Sequence, residues 1–227
     1  MASNVSLVLF PGLAADERLL EPQRALPYEI IAPPWIEPQD DDTLPAYARR
    51  VAESNSWPER FIVGGVSFGG MLAAELALVR RPAGVILLGS CLNPEAVPTL
   101  YRFVHTMSKL IPDAAVRLGA SVSRPFVNFF RDIGPEDERV MTDMTHETPI
   151  PRLRRCAAMV VNWKGVRELP CPRLWIHGEN DLVIPLKKLA PDVPELVIPG
   201  AGHLVNWTHR DQTNAAIRRF VESLDQN

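Results

Sequence analysis

Apolar residues along this chain fall into two rhythms. Short, nearly unbroken apolar runs at 5–10, 29–32, 61–66, 84–89, 173–177 and 195–198 read as buried strands. Between them, apolar residues recur at helical spacing. Leu19 and Leu20 face inward from a helix over 16–25. Thr43 is placed to cap a helix that carries Leu44, Tyr47, Ala48 and Val51 at i, i+3, i+4 and i+7. A short helix is expected over 186–190. The last helix presents Ile217, Phe220, Val221 and Leu224 in the same pattern. Strands alternating with helices predict an α/β chain with a mainly parallel sheet of about six strands, covered by helices on both faces.

The alternation lapses once. Over 93–165 no strand-like run occurs, and prolines at 94, 98, 112, 125, 135, 149 and 151 divide short helical pieces. The expected organisation is a core formed by 1–92 and 166–227, with a helical insertion at 93–165. The acidic stretch 37–42 is expected to be a solvated connection.

The strand at 61–66 passes directly into an alanine-rich helix reaching about Arg80, through Gly65-Val66-Ser67-Phe68-Gly69. This is the G-x-S-x-G elbow, a turn tight enough to lift a serine hydroxyl clear of the strand ends. Its backbone is strained, so the residues two positions to either side must be small, as Gly65 and Gly69 are. Ser67 is the candidate nucleophile.

A serine needs a base within reach and a third group to orient that base. Of the five histidines, His203 lies in Gly200-Ala201-Gly202-His203, directly after the last strand, where the ligand chemistry of open α/β sheets gathers. His177 sits inside a strand end and reads as structural. His105 and His146 fall in the insertion, and His209 at the start of the last helix. Asp181 follows the strand ending at His177, on a loop beside the one that carries His203. The chain order Ser67, Asp181, His203 is the order this elbow chemistry uses. Glu179 and Glu95 are fallback acids. Two backbone N–H groups are placed to receive a developing oxyanion: that of Phe68, after the nucleophile, and that of Leu13, on the Pro11-Gly12 turn after the first strand.

The elbow Gly-Val-Ser-Phe-Gly-Gly, the stretch His-Gly-Glu-Asn-Asp-Leu-Val-Ile-Pro and the late Gly-Ala-Gly-His together resemble the α/β-hydrolase superfamily, and within it a small cap-bearing carboxylesterase. Phe10-Pro11-Gly12-Leu13 stands where that family carries its oxyanion loop, with Phe10-Pro11 in place of the commoner histidine. The resemblance implies a helical cap at 93–165, a pair of N-terminal strands missing, and cleavage of carboxylic esters without a cofactor. Thioester, lactone or C–C bond cleavage would use the same triad. Cofactor-free lyase or perhydrolase activity and a non-catalytic small-ligand receptor also occur on this fold. Serine rather than aspartate at position 67 argues against a carboxylate nucleophile. The substrate implied is a small ester, with an apolar acyl or alkyl group if Phe126, Phe129, Phe130, Met159 or Trp163 of the insertion faces the nucleophile.

Composition narrows the classes further. In 227 residues, 46% hydrophobic content suffices for one domain's core. A net charge of −3 gives no footprint for nucleic acid or an anionic membrane. Cys91, Cys156 and Cys171 are odd in number and lack C-x-x-C spacing, so neither a disulfide frame nor a metal cluster is expected. No basic leader precedes the first strand, and a cytoplasmic protein is expected. The apolar stretch 61–79 contains four glycines and a switch from strand to helix, and reads as buried core rather than a membrane span. The sequons at Asn4 and Asn206 carry no weight without secretion. Oligomeric state is open.

Overall fold

The computed structural model describes residues 5–99, 101, 106 and 133–226. The six strands β1 Ser6–Phe10, β2 Glu29–Ile31, β3 Phe61–Val66, β4 Gly84–Leu88, β5 Arg173–Gly178 and β6 Leu196–Ile198 form one sheet. Its order is β2-β1-β3-β4-β5-β6, and every neighbouring pair is parallel. Register brings the strand exits together: Phe10 lies opposite Gly65, Val66 opposite Leu88, and Gly178 opposite Ile198.

Side chains alternate across the strands and feed two cores. Val8, Phe10, Val63, Val85, Leu87 and Trp175 belong to one, and Leu7, Leu9, Ile62, Ile86, Leu88 and Ile176 to the other. On the first face lie α1 Leu44–Ser54 and α2 Phe68–Arg80. The expected cap holds, with Thr43 Oγ1 accepting the Ala46 N–H at 3.3 Å. On the second face lies the C-terminal helix pair, α5 Val205–Thr208 and α6 Arg210–Leu224. Between α2 and this pair in chain order come α3 Pro135–Glu147 and α4 Ile150–Asn162 of the insertion. Ile217 and Val221 of α6 are fully buried, each worth about 1.5–3 kcal/mol by area. Phe220 and Leu224 of the same stripe are half-buried.

Segment 16–25 is not an α-helix but a 3₁₀ helix, Glu17–Ala25. Pro22 inside it has no N–H to donate, so the regular i→i−4 ladder cannot form. The segment expected at 186–190 is likewise a 3₁₀ turn, Leu186–Lys188.

The described residues of the insertion include a 3₁₀ turn Pro94–Ala96 and the helices α3 Pro135–Glu147 and α4 Ile150–Asn162. Met141 and Met144 of α3 join the second core. Cys156 and Met159 of α4 and the following Trp163 join the first. The indole N–H of Trp163 donates to Glu75 Oε1 of α2 at 2.6 Å. Phe126, Phe129, Phe130 and His105 lie outside the described residues.

The acidic stretch 37–42 is not a free solvated connection. Glu37 pairs with Arg152 and Arg155 of α4 at 3.2 and 3.1 Å, and Asp40 pairs with Arg155 at 2.6 Å. Asp42 is buried at its side chain and pairs with Arg50 of α1. The loop therefore clasps the insertion to the core. Asn206 is fully buried, with its amide N–H donated to Leu19 O at 2.8 Å and Gln23 Oε1 at 3.2 Å, which removes its sequon from consideration.

Candidate active site

Ser67 stands between β3 and α2 with φ 53° and ψ −116°, a conformation costing about 1–3 kcal/mol for a non-glycine residue. The neighbouring glycines are required by close approach. A Cβ on Gly65 would lie 2.5 Å from Phe10 O, and one on Gly69 would lie 2.2 Å from Phe10 O and 2.4 Å from Pro11 O. Their absence lets the exit of β1 settle onto the elbow. Ser67 is tied to the next strand by its N–H, donated to Leu88 O at 2.9 Å, and by Ser90 Oγ, which donates to Ser67 O at 2.7 Å.

His203 and Asp181 meet as a buried pair. His203 Nδ1 lies 2.7 Å from Asp181 Oδ2, with the two side chains 3% and 0% exposed. Backbone bonds set the two loops against each other: Glu179 N–H to Ile198 O at 3.1 Å and Asn180 N–H to Ala201 O at 2.8 Å. Asp181 Oδ1 accepts the N–H groups of Val183 and Ile184 at 2.8 and 2.9 Å. Burial opposes charge on Asp181. The facing His203, with hydrogen bonds from His177 and His203, outweighs that and holds the carboxyl well below the usual carboxylate range. His203 packs on Gly89, immediately after β4, while Ser67 bonds to Leu88 at the end of the same strand. Ser67 and His203 thus flank the exit of β4.

The fallback acids are elsewhere. Glu179 Oε2 accepts the Gly200 N–H at 2.9 Å, and Glu95 is exposed. His146 is exposed on α3, and His209 caps α6 with its ring 2.9 Å from Thr208 Oγ1.

Leu13 and Phe68 line a common cavity of about 210 Å³ together with Gly12. Phe68 opens α2, where an N–H has no intrahelical acceptor and the helix dipole favours negative charge. Trp35, which sequence reasoning did not single out, pins this wall. Its indole N–H donates to Ala15 O at 3.0 Å, and its ring lies 6.1 Å from Phe10 and 5.7 Å from Phe68. The opposite wall comes from α3 and α4, through Met144, Glu147, Arg152, Leu153 and Cys156. None of these carries a local motif; distance in sequence hides them. Met159 and Trp163 are buried in the core rather than lining the cavity. No group of three metal-ligating side chains occurs among the described residues. The three cysteines are free.

A sheet with this order and an elbow at its centre defines a class, and comparison with known proteins agrees. The alpha/beta hydrolase family model matches residues 7–216, and the chain belongs to that family. A pimeloyl-[acyl-carrier protein] methyl ester esterase of Xanthomonas axonopodis is 37% identical over 209 residues, 82% of this chain and 80% of that protein. A Synechocystis protein named for non-heme chloroperoxidase activity aligns at 38% identity over 58 residues, 21% of its length. A thermophilic esterase from Thermogutta terrifontis shares the fold with a TM-score of 0.68 at 20% identity, over 97% of this chain and 90% of that one. The chain is a hydrolase with esterase relatives. Among the described residues no helix is long and apolar enough to cross a membrane.

Proposed function

We propose that this hydrolase cleaves carboxylic esters through Ser67, His203 and Asp181. Ser67 Oγ attacks the ester carbonyl while His203 accepts its proton, then returns it to the leaving alcohol. Asp181 orients the imidazole and stabilises it as imidazolium. The Leu13 and Phe68 N–H groups receive the oxyanion of the tetrahedral intermediate. Water then attacks the acyl-enzyme, with His203 again as base, and no cofactor enters the cycle.

The observation carrying this reading is the buried 2.7 Å contact between His203 and Asp181, beside the strand exit that holds the strained Ser67. A depressed carboxyl keeps Asp181 ionised throughout the working range, as an orienting acid requires. The cavity beside the elbow is lined by both proposed oxyanion donors, Leu13 and Phe68, but not by Ser67, Asp181 or His203, so its volume sets no limit on the acyl group. Helices α3 and α4 act as a cap beside that cavity, with α4 paired to Glu37 and Asp40 of the acidic loop. The free cysteines fit a cytoplasmic setting.

The 37% identical relative favours a finer reading, a methyl ester on a carrier-bound dicarboxylic acyl chain. The test compares initial rates on p-nitrophenyl butyrate and on a methyl ester of a carrier-bound dicarboxylate, for wild type and Ser67→Ala. Turnover lost in the variant, with its circular dichroism unchanged, is expected. Equal rates in both proteins would overturn the triad.

A further inference from the structure

His177 occupies a place that a strand-end histidine with a purely packing role has no reason to hold. It lies in β5, is completely buried, and its Nε2 is 2.8 Å from Ile184 O and 3.2 Å from Asp181 Oδ2. A carbonyl oxygen only accepts, so Nε2 carries the proton. Nδ1 has no hydrogen-bond partner among the described residues. With Nδ1 buried and unpartnered, Nε2 is the nitrogen whose proton is engaged.

That N–H is bonded to Ile184 O, and Nε2 also approaches Asp181 Oδ2 at 3.2 Å. Ile184 donates its own N–H to Asp181 Oδ1 at 2.9 Å and offers its carbonyl to His177. His177, Ile184 and Asp181 therefore close a ring of contacts around the carboxylate. Oδ1 is occupied by two backbone donors, while Oδ2 faces both His203 and His177. We infer that His177 is a positioning residue for the triad acid, whose Nε2–H fixes the plane of the Asp181 carboxylate and withdraws charge from the oxygen facing His203. The inference rests on the triad reading of Ser67, Asp181 and His203.

Among the described residues, the other titratable groups that feel Asp181 are Cys91 and Tyr101. Burial, with Asp181 adding to it, pushes both upward, so they stay neutral over the working range. The Trp175 ring meets His177 edge-on at 6.4 Å and carries no charge. Removing the His177 donor concentrates charge on Oδ2, which stabilises the His203 imidazolium before substrate arrives. The ground state then holds the proton that catalysis must move.

The test measures p-nitrophenyl butyrate kinetics against pH for wild type, His177→Leu and His177→Gln. His177→Leu should lower kcat by about tenfold to a hundredfold, the scale of a small misplacement in a catalytic group. KM should stay near its wild-type value, and the acid limb of kcat/KM should move to higher pH. His177→Gln, which places an amide N–H where Nε2–H stood, should recover most of the rate and return the limb. Unchanged kcat and pH profile in a folded His177→Leu variant overturns the inference, even if its Tm falls. A glutamine variant no better than leucine does so as well. Nitrogen NMR of the wild-type imidazoles gives a reading that needs no variant to fold. A proton on Nε2 of His177 is expected, and an Nδ1–H tautomer with Nε2 bare contradicts it. Activity surviving in Ser67→Ala would instead remove the triad reading beneath it.

Discussion

Gly89 and His203 are in contact through a space that admits no side chain. A Cβ on Gly89 would lie 2.3 Å from His203 O and 3.4 Å from its Nδ1, and Gly89 itself has φ +53°. The exit of β4 thus serves as the floor on which the histidine rests, with the Ser67 backbone bonded to Leu88 just before it. Gly89→Ala would meet both the left-handed backbone and the clash, at a cost of about 1–3 kcal/mol from strain alone. Thermal melts should show that loss. Activity should fall further than stability implies, because the displaced group is His203.

Asp181→Asn tests the orienting acid. An amide in its place can present the wrong partner to Nδ1, and a loss in kcat of about ten-thousand-fold is expected. KM should move little.

The same residue makes a stability prediction with a definite sign. The folded Asp181 carboxyl lies below its usual range. Its contribution is complete above the unfolded aspartate value of about 3.9 and is lost as pH falls toward the folded value. Tm plotted between pH 6 and pH 2 should therefore drop more steeply in wild type than in Asp181→Asn, and the divergence should begin below about pH 4. Parallel curves would contradict the assignment.

Glu75 carries the opposite sign. Burial pushes its carboxyl upward, only partly offset by the Trp163 indole hydrogen bond and by Arg49. Stability from the protonated form is complete below about 4.3 and is lost as pH rises through the raised folded value. Glu75→Gln keeps an oxygen for the indole and never acquires the buried charge. Its Tm advantage over wild type should grow from pH 5 to pH 8, as scanning calorimetry would show.

Ser90 supports the elbow from beneath. Its hydroxyl donates to Ser67 O, and its own carbonyl accepts the Trp175 indole N–H at 3.1 Å. Ser90→Ala removes one bond from a carbonyl that keeps the Gly70 and Met71 N–H groups at 3.0 and 3.2 Å. The expected stability loss is about 0.5–1.5 kcal/mol, with kcat reduced and KM unchanged as the strained serine loses a restraint.

What the sequence revealed of this molecule follows the range of the forces involved. The strands were legible because burial on both faces of a parallel sheet demands apolar runs, and Val85, Ile86, Leu87 and Leu88 are each completely buried. The elbow was legible because backbone contact with Phe10 and Pro11 leaves glycine no substitute at 65 and 69. Asp181 and His203 could be paired because chain order and strand ends place their loops side by side. The clasp from Glu37 to Arg152 and Arg155 joins residues more than a hundred positions apart, and nothing local marks a charge as paired at that distance. Trp35 and the α3 and α4 wall of the cavity were hidden for the same reason. His177 read as structural because its second neighbour, Asp181, becomes visible only once the loop after β5 has folded back. Segment 16–25 was legible as helical with Leu19 and Leu20 inward, while its 3₁₀ form follows from Pro22, which alters the hydrogen bonding without altering which side of the segment is buried.

The central claim is that Ser67 is the nucleophile, and covalent trapping addresses it most directly. Wild type and Ser67→Ala would be incubated with a fluorophosphonate, and the intact masses and labelled peptides compared. One adduct per wild-type chain, mapped to the peptide containing Ser67, and none on the variant is the predicted result. Labelling that persists in Ser67→Ala, or a wild type that turns over ester yet takes no label at Ser67, would contradict the account.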